Sequence, residues 1–240
     1  MKGLILAGGK GTRLRPTTKV TNKHLLLVYD KPLIMYAIET LRENGIKDIL
    51  LTLSYDCPQS FIHLLGDGSE LGVNITYLIH GEAKGIAYAI NHAKPYLKEE
   101  PFVVLLGDNI FANSLRLAFD SFYEEPRNIV LLKKSDNPER YGVVEFGQEE
   151  IIRRFVEKPK EPPSPFIVLG LYFLTPKFFE VYPKLNPSWR NEYEITDALN
   201  LLLPDVDYMI YEGVWFDCGT FDDFLEASLY MKLLRRRNRS

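Results

Sequence analysis

Lys2-Gly3-Leu4-Ile5-Leu6-Ala7-Gly8-Gly9-Lys10-Gly11-Thr12-Arg13-Leu14-Arg15 occupies the start of the chain. The apolar run Leu4–Ala7 reads as a buried strand. It empties into a loop with almost no side chains, followed by two arginines. Glycine tolerates φ > 0 and lets backbone N–H groups come close to an anion. Arg13 and Arg15 add charge where phosphates would lie. A strand that opens into a phosphate-binding loop is how nucleotide-binding α/β folds begin. The loop does not fit the P-loop pattern, and Gly9-Lys10-Gly11-Thr12-Arg13-Leu14 lacks the third glycine of the dinucleotide fingerprint. A plain strand-to-loop turn is the alternative.

Outward from that loop, strand and helix signals alternate. Pro32 opens a helix with Ile34, Ala37, Ile38 and Leu41 on its apolar stripe, and Gly45 closes it. Asp48–Leu53 reads as a strand, Gln59–Leu65 as a short helix, Asn74–Ile79 as a strand and Ile86–Ala93 as a helix. Phe102–Leu106 is a fully apolar strand ending at Gly107-Asp108-Asn109. The alternation predicts an α/β fold with a parallel, doubly wound sheet. Past Pro138 the texture changes. Val143–Phe146 and Ile151–Val156 read as a hairpin around Gly147, and Ile167–Leu174 as a long strand. Helices are predicted at Lys177–Tyr182, Glu194–Leu203 and Phe221–Leu234, with one strand over Tyr208–Phe216. Prolines make Lys158–Pro165 a stiff surface loop.

Composition narrows the function classes. A chain of 240 residues suits a single α/β domain with a large core. A formal net charge of −3 gives no basic field, so nucleic acid is not an expected partner. The one strong charge cluster, Arg235-Arg236-Arg237-Asn238-Arg239, reads as the solvated end of a helix. Cys57 and Cys218 form no C-x-x-C, which argues against a disulfide framework and against zinc. Met1-Lys2-Gly3 runs straight into a strand, so no secretory signal is read. No apolar run approaches the roughly 20 residues that cross a bilayer. A soluble, cytoplasmic protein without a membrane partner is expected. His24, His63, His80 and His92 show no metal-ligand spacing, and His63 and His92 are expected on exposed helix faces.

Two aspartates stand out. Asp108 follows a buried strand where α/β sheets place their ligands, and Asp217 follows the apolar Val214-Trp215-Phe216 in the same way. Two carboxylates at strand ends can hold one Mg²⁺ together with substrate phosphates. Either aspartate alone is equally a helix N-cap or a turn residue.

At this point a resemblance emerges. Gly8–Arg13, Thr21-Asn22-Lys23-His24-Leu25-Leu26, Leu106–Phe111, Asp136–Val143, Glu157-Lys158-Pro159 and Glu194-Ile195-Thr196-Asp197 occur in the order found in sugar nucleotidyltransferases. The pattern resembles the glucose-1-phosphate thymidylyltransferase family from residue 2 to about 230. The resemblance implies a Rossmann-like three-layer mixed sheet flanked by helices. It implies a single domain, with a nucleotide half at about 1–135 and a sugar half at about 136–240. It implies Mg²⁺-dependent transfer of a nucleotidyl group from dTTP to glucose 1-phosphate, and homo-oligomerisation. Leu6, Gly8, Gly11, Thr12 and Arg13 would line the nucleotide, with Arg13 the main electrostatic catalyst. Lys23 would contact the reacting phosphates, Gly85 would approach the base, and Asp108 and Asp217 would hold the metal. Asn109, Tyr141, Gly142, Glu157, Val168 and Trp215 would contact the sugar, with Lys158 and Arg190 on its phosphate. Lys158 is otherwise a surface lysine in a proline loop. Arg190 is otherwise a surface arginine, since its neighbours Trp189 and Asn191 are not the usual ones.

Two departures bear on specificity. His80 stands where relatives carry a base-reading glutamine, and Gly85-Ile86-Ala87-Tyr88-Ala89 has Tyr88 where another glutamine is usual. A glutamine amide matches the N3–H and a carbonyl of a pyrimidine in one plane, whereas a neutral imidazole offers a different geometry. UTP is therefore the rival nucleotide. A non-catalytic nucleotide-binding regulatory subunit is the rival from another class. The chain also ends near 240, short of the C-terminal extension of longer relatives, so their regulatory site is not expected here.

Overall fold

The computed structural model describes residues 1–81 and 83–237. In chain order the strands and helices begin with β1 (Lys2–Leu6), β2 (Leu27–Val28), β3 (Lys31–Pro32), α1 (Leu33–Glu43), β4 (Asp48–Leu53), α2 (Pro58–Leu65) and β5 (Asn74–Ile79). Then come α3 (Ile86–His92), α4 (Lys94–Leu97), β6 (Phe102–Leu106), β7 (Asn109–Phe111), α5 (Arg116–Glu124) and β8 (Asn128–Lys134). The remainder holds β9 (Gly142–Phe146), β10 (Ile152–Glu157), β11 (Phe166–Leu174), α6 (Phe178–Val181), α7 (Ile195–Leu202), β12 (Val206–Ile210), β13 (Trp215–Asp217) and α8 (Phe221–Arg237). The expected α/β class, a mixed sheet flanked by helices, is the class observed.

Two compact units are present. The first comprises Gly3–Ala83, Leu105–Arg116 and Gly213–Ser240. Here β1 pairs in parallel with β4, which pairs in parallel with β5. The register sets Leu6 beside Thr52, and Ala7 N–H then donates to the Thr52 carbonyl at 3.0 Å. Leu4, Ile5 and Ala7 have no exposed surface, so the strand is held on both faces up to the glycine loop. A separate core of Leu14, Val28, Leu33, Tyr36, Ile110, Phe216, Cys218, Phe224 and Ala227 gathers the turn after that loop, α1, β7, β13 and α8. It fixes the two aspartate-bearing turns to the glycine loop.

The second unit comprises Met1–Lys2, Lys84–Val104 and Leu117–Glu212. Its strands run in the order β10-β9-β11-β8-β12, antiparallel except for the parallel pair β8 and β12. The expected hairpin around Gly147 is β9 and β10. Its core is aromatic: Phe119 and Phe122 set their rings edge-on to Phe173 at 5.0 and 5.1 Å, and Phe102 stacks on Phe179 at 5.4 Å.

One predicted strand is corrected. Tyr208–Phe216 is not continuous: β12 ends at Ile210, and β13 starts at Trp215 and pairs with β7 instead. The intervening Glu212-Gly213 break lets the chain leave one unit for the other. The basic run at 235–239 begins at the end of α8, where Arg236 is exposed and the partly exposed Arg235 forms an ion pair with Asp30. Asn238 and Arg239 lie outside the described residues. His63 and His92 are exposed on α2 and α3, as expected. Among the described residues no helix is long and apolar enough to cross a membrane.

Candidate active site

The glycine loop is shaped by what lies beneath it. Gly11 sits at φ +56 in the left-handed region, where a side chain is disfavoured. A Cβ there would lie 3.0 Å from Thr18 Cγ2 and 3.1 Å from Lys23 Cβ, and the Gly11 carbonyl accepts from Thr18 Oγ1 at 2.7 Å. A Cβ on Gly9 would meet Lys23 Cε at 3.4 Å. The Lys23 side chain therefore runs along the underside of the loop. Gly8 abuts His80, whose ring atoms would stand 3.3 Å from a Cβ at that position. His80 is 6% exposed.

Lys23 ends in an ion pair with the Asp108 carboxylate, both side chains largely buried. Asp108 is delivered by Gly107, whose N–H donates to the Leu6 carbonyl at 2.9 Å. A Cβ at Gly107 would strike that same oxygen and His24 Cδ2, each at 3.0 Å. A side chain here would force these neighbours to give by a few tenths of an ångström. Asn109 Nδ2 donates to Asp108 Oδ1 at 3.0 Å. Strand β7 then pairs with β13, setting Asn109 beside Asp217, and Trp215 Nε1 donates to Asn109 Oδ1 at 2.8 Å. The Cys218 N–H donates to the Asp108 carbonyl at 2.9 Å, tying the two aspartate turns together. Beyond them Asp223 Oδ2 accepts from the Thr220 N–H at 2.7 Å and so caps α8. Arg13 reaches this turn: a Cβ on Gly219 would lie 2.7 Å from Arg13 Nη2 and 3.1 Å from Cζ.

The electrostatics follow from burial. Desolvation raises the Asp108 carboxyl, but Lys23 and His24 outweigh it and hold the group at about 2. Asp217 goes the other way, pushed up to about 6 by burial and by the charge of Asp108, against relief from Lys23 and Arg13. Burial opposes the charge on Lys23, yet the pairing with Asp108 raises its pKa. His24 is buried, shares its Nδ1 with Asn22 Oδ1 at 2.7 Å, and is driven down to about 3 by burial and by Lys23. It is neutral at physiological pH.

The second unit holds another polar cluster. β9 sets Gly142 opposite Glu157 on β10, and a Cβ at Gly142 would meet Thr196 Cγ2 at 2.8 Å and Glu157 Oε2 at 3.3 Å. Thr196 Oγ1 donates to Glu157 Oε2 at 3.3 Å. Arg190 lies 3.4 Å from both Glu157 Oε1 and Glu194 Oε1, and 3.1 Å from Glu192 Oε2. Lys158, at φ +43, stands 3.6 Å from Glu157 Oε1. Burial first, then Glu194, raise the Glu157 carboxyl, against Lys158 and Arg190. Tyr141 receives the Lys158 N–H on its carbonyl at 3.0 Å, and Val168 lies buried on β11. Gly85 sits at φ +98 against Tyr193, whose carbonyl oxygen would be 2.5 Å from a Cβ. Tyr88 stacks near Tyr193 with ring centroids 6.2 Å apart.

The sequence-predicted residues therefore fall into two sets. Leu6, Gly8, Gly11, Thr12, Arg13, Lys23, His80, Asp108, Asn109, Trp215 and Asp217 belong to the first unit. Gly85, Tyr141, Gly142, Glu157, Lys158, Val168 and Arg190 belong to the second. Among the described residues no group of three or more His, Cys, Asp or Glu side chains is arranged to hold a metal, so any ion here rests on the aspartate pair. Glu194 and Thr196 join this polar cluster, although sequence reasoning left them without a role. Their signal was the Glu194-Ile195-Thr196-Asp197 motif, which places them at the start of α7.

A nucleotidyl transferase family model matches residues 2–232. The chain belongs to the nucleotidyl transferase family. This nucleotidyltransferase is 40% identical to a glucose-1-phosphate thymidylyltransferase of Mycobacterium tuberculosis, over 99% of this chain and 84% of that protein. It is 38% identical to a low-salt glycan biosynthesis nucleotidyltransferase of Haloferax volcanii, over 99% of this chain and 68% of that one. Its structure matches a crystal structure from Bacillus anthracis assigned as a glucose-1-phosphate thymidylyltransferase, with a TM-score of 0.89, 39% identity and coverage of 96% and 94%. It also matches a UDP-glucose pyrophosphorylase complexed with UDP-glucose, with a TM-score of 0.84, 28% identity and coverage of 96% and 98%. The protein is an enzyme of this family.

Proposed function

We propose that this nucleotidyltransferase moves the thymidylyl group of dTTP onto glucose 1-phosphate, releasing dTDP-glucose and pyrophosphate in a Mg²⁺-dependent, cytoplasmic reaction. The observation that carries this reading is the buried Lys23–Asp108 pair, coupled to Asp217 and set under a glycine loop, with the Arg13 guanidinium against Gly219. Leu6, Gly8, Gly11 and Thr12 line the nucleotide in this reading, with His80 and Gly85 near the base. Asn109, Tyr141, Gly142, Glu157, Val168 and Trp215 contact the sugar. The proposed nucleotide half is about 1–135 and the sugar half about 136–240.

The chemistry asks little of a base. An oxygen of the sugar phosphate is already ionised, so it attacks the α-phosphorus directly; the new P–O bond forms as the bond to pyrophosphate breaks. The difficulty is to bring two polyanions together and to neutralise the group that leaves. Arg13 is aimed at that charge. Lys23 is fixed by Asp108 and so arrives without losing rotamer freedom during the reaction. Lys158 and Arg190 hold the sugar phosphate. Glu157 accepts sugar hydroxyls, its carboxylate fixed by Thr196 and Arg190.

Asp108 and Asp217 suit a hard divalent ion. They are two buried carboxylates, one already ionised and the other held near 6 by burial and by its neighbour, and Lys23 offsets only one of the two charges. When bound, Mg²⁺ supplies charge neutralisation for the departing pyrophosphate.

UTP is the second reading. Its support is the likeness to the UDP-glucose pyrophosphorylase structure and the replacement of glutamine by His80. Pyrophosphate release with glucose 1-phosphate and each of dTTP, UTP, CTP, ATP and GTP separates the two. The first reading requires the highest kcat/KM with dTTP. A higher value with UTP replaces it by the second.

A further inference from the structure

Ahead of α7, residues 185–194 form neither helix nor strand, and this stretch carries Arg190. An arginine there has no rigid element to aim it, and its side chain has many rotamers. The carboxylates around it do not supply the aim. Arg190 stands 3.1 Å from Glu192 and 3.4 Å from both Glu157 and Glu194. A tight charge-assisted hydrogen bond is shorter, about 2.7–2.9 Å.

Ser188 makes the shorter contacts. Its hydroxyl donates to Glu194 Oε1 at 2.8 Å and accepts from the Arg190 N–H at 3.2 Å. Its own N–H donates to the Glu192 carbonyl, and its carbonyl accepts from the Asn191 N–H, both at 2.8 Å. Asn191, at φ +58, lies in the left-handed region that asparagine tolerates. One hydroxyl therefore holds Arg190 twice: directly at the main chain, and at the guanidinium through the buried Glu194 carboxylate. The far end of the stretch is anchored independently. The Tyr193 N–H donates to the Lys84 carbonyl at 2.7 Å, and the Tyr193 carbonyl accepts from the Ala87 N–H at 3.1 Å. Loss of the hydroxyl would thus release Arg190 while the path of the chain is kept.

We propose that Ser188 is a positioning residue for the sugar 1-phosphate, fixing the Arg190 guanidinium through Glu194 before the phosphate arrives. This rests on the reading that Arg190 holds the phosphate of the acceptor. The test measures KM for glucose 1-phosphate and for the nucleotide separately, with the melting temperature as the check on folding. Ser188→Ala is expected to raise the KM for glucose 1-phosphate roughly 3- to 30-fold, the effect of one hydrogen bond lost from a charged network, and to leave the nucleotide KM within about twofold. Ser188→Cys, close in size but a weak donor, is expected to show the same split and replaces the alanine variant if that one does not fold. Ser188→Thr keeps the hydroxyl and is expected to stay within about twofold of wild type for both substrates. In an Arg190→Ala background, Ser188→Ala should cost less than about twofold, since no guanidinium is left to aim. A Ser188→Ala protein that melts lower but keeps both KM values overturns the proposal. A rise shared equally by both substrates, or an equal loss in both backgrounds, also overturns it, as does an unchanged KM for glucose 1-phosphate in Arg190→Ala. A wild type that turns over no nucleotide with glucose 1-phosphate overturns the reading beneath the proposal and the proposal with it, a result distinct from the others.

Discussion

Gly219→Ala isolates the role given to Arg13. The added methyl would lie 2.7 Å from Arg13 Nη2 and 3.1 Å from Cζ, both at the far end of a flexible side chain. The backbone at Gly219 lies outside the left-handed region, so alanine fits it without strain. The Gly219 N–H can still donate to Asp223 Oδ2, now at 3.2 Å. The fold should therefore hold, with a melting temperature within about 2 °C of wild type, because the lower entropy of the unfolded chain offsets a small local cost. The guanidinium, however, must leave its place. Deleting a preorganised donor to developing charge costs about 2.7–4 kcal/mol. Displacing it should cost part of that, about 1.4–2.7 kcal/mol, or roughly 10- to 100-fold in kcat. Steady-state kinetics on Gly219→Ala, Arg13→Ala and the double variant form the assay. Arg13→Ala alone should lower kcat more than it raises the nucleotide KM. In the Arg13→Ala background the alanine at 219 should cost less than threefold, since nothing is left to displace. An equal loss in both backgrounds would refute the link between Gly219 and Arg13. A rise in KM alone would make Arg13 a ground-state binder.

Other predictions follow the same logic. Asp217→Asn, and separately Asp108→Asn, should lower turnover at least 100-fold across a Mg²⁺ titration; near-wild-type rates at ordinary Mg²⁺ would sink the aspartate pair. In EDTA the Asp217→Asn protein should melt no lower than wild type at pH 7. The folded Asp217 carboxyl titrates near 6 against an ordinary 3.8, so the unfolded chain ionises first and wild-type stability falls as pH rises between the two. His24 has the opposite sign of dependence: held near 3 in the fold against 6.5 when unfolded, it leaves stability intact above about 6.5 and removes it as pH falls. The slope from this one group approaches 1.4 kcal/mol per pH unit. Urea denaturation of His24→Gln from pH 7 to 4.5 should show a flatter curve, and an unchanged one would clear His24 of the effect. His80→Gln should raise kcat/KM for dTTP and UTP together by roughly 2- to 10-fold, the worth of one neutral hydrogen bond. A harmful effect on both would mean that His80 does not read the base edge.

Much of this was legible in the sequence because local signals and tertiary placement agree. The run Leu4–Ala7 is buried as its composition demands, and the glycines that follow are those whose Cβ positions are taken by Lys23, Thr18 and His80. Helix α1 shows the stripe of Ile34, Ala37, Ile38 and Leu41 as buried residues. Other parts left no periodic trace. β7 and β13 are three residues each, too short for an alternation to register, yet they carry Asn109 and Asp217 into place. Tyr208–Phe216 is apolar enough to look like one strand, and only Glu212-Gly213 hints at the break. Helix α5 and strand β8 went unpredicted, though Asn128–Lys134 is five-sevenths buried. The pairing of Lys23 with Asp108 spans 85 residues, which no spacing rule reaches. Arg190 was named only through the family resemblance, outside any of the quoted motifs. That three glutamates surround it depends on how β10 and α7 meet, and no linear pattern encodes that.

The central claim is that the chain catalyses nucleotidyl transfer to a sugar phosphate, and one measurement addresses it most directly. Purified protein is incubated with dTTP, glucose 1-phosphate and Mg²⁺, and pyrophosphate and sugar nucleotide are quantified together over time. Equimolar release of pyrophosphate and formation of dTDP-glucose, dependent on both substrates and slowed roughly 10²- to 10³-fold in Arg13→Ala, is the predicted result. Binding of dTTP or UTP with no pyrophosphate released from either would contradict it, and would identify a chain that holds nucleotides without turning them over.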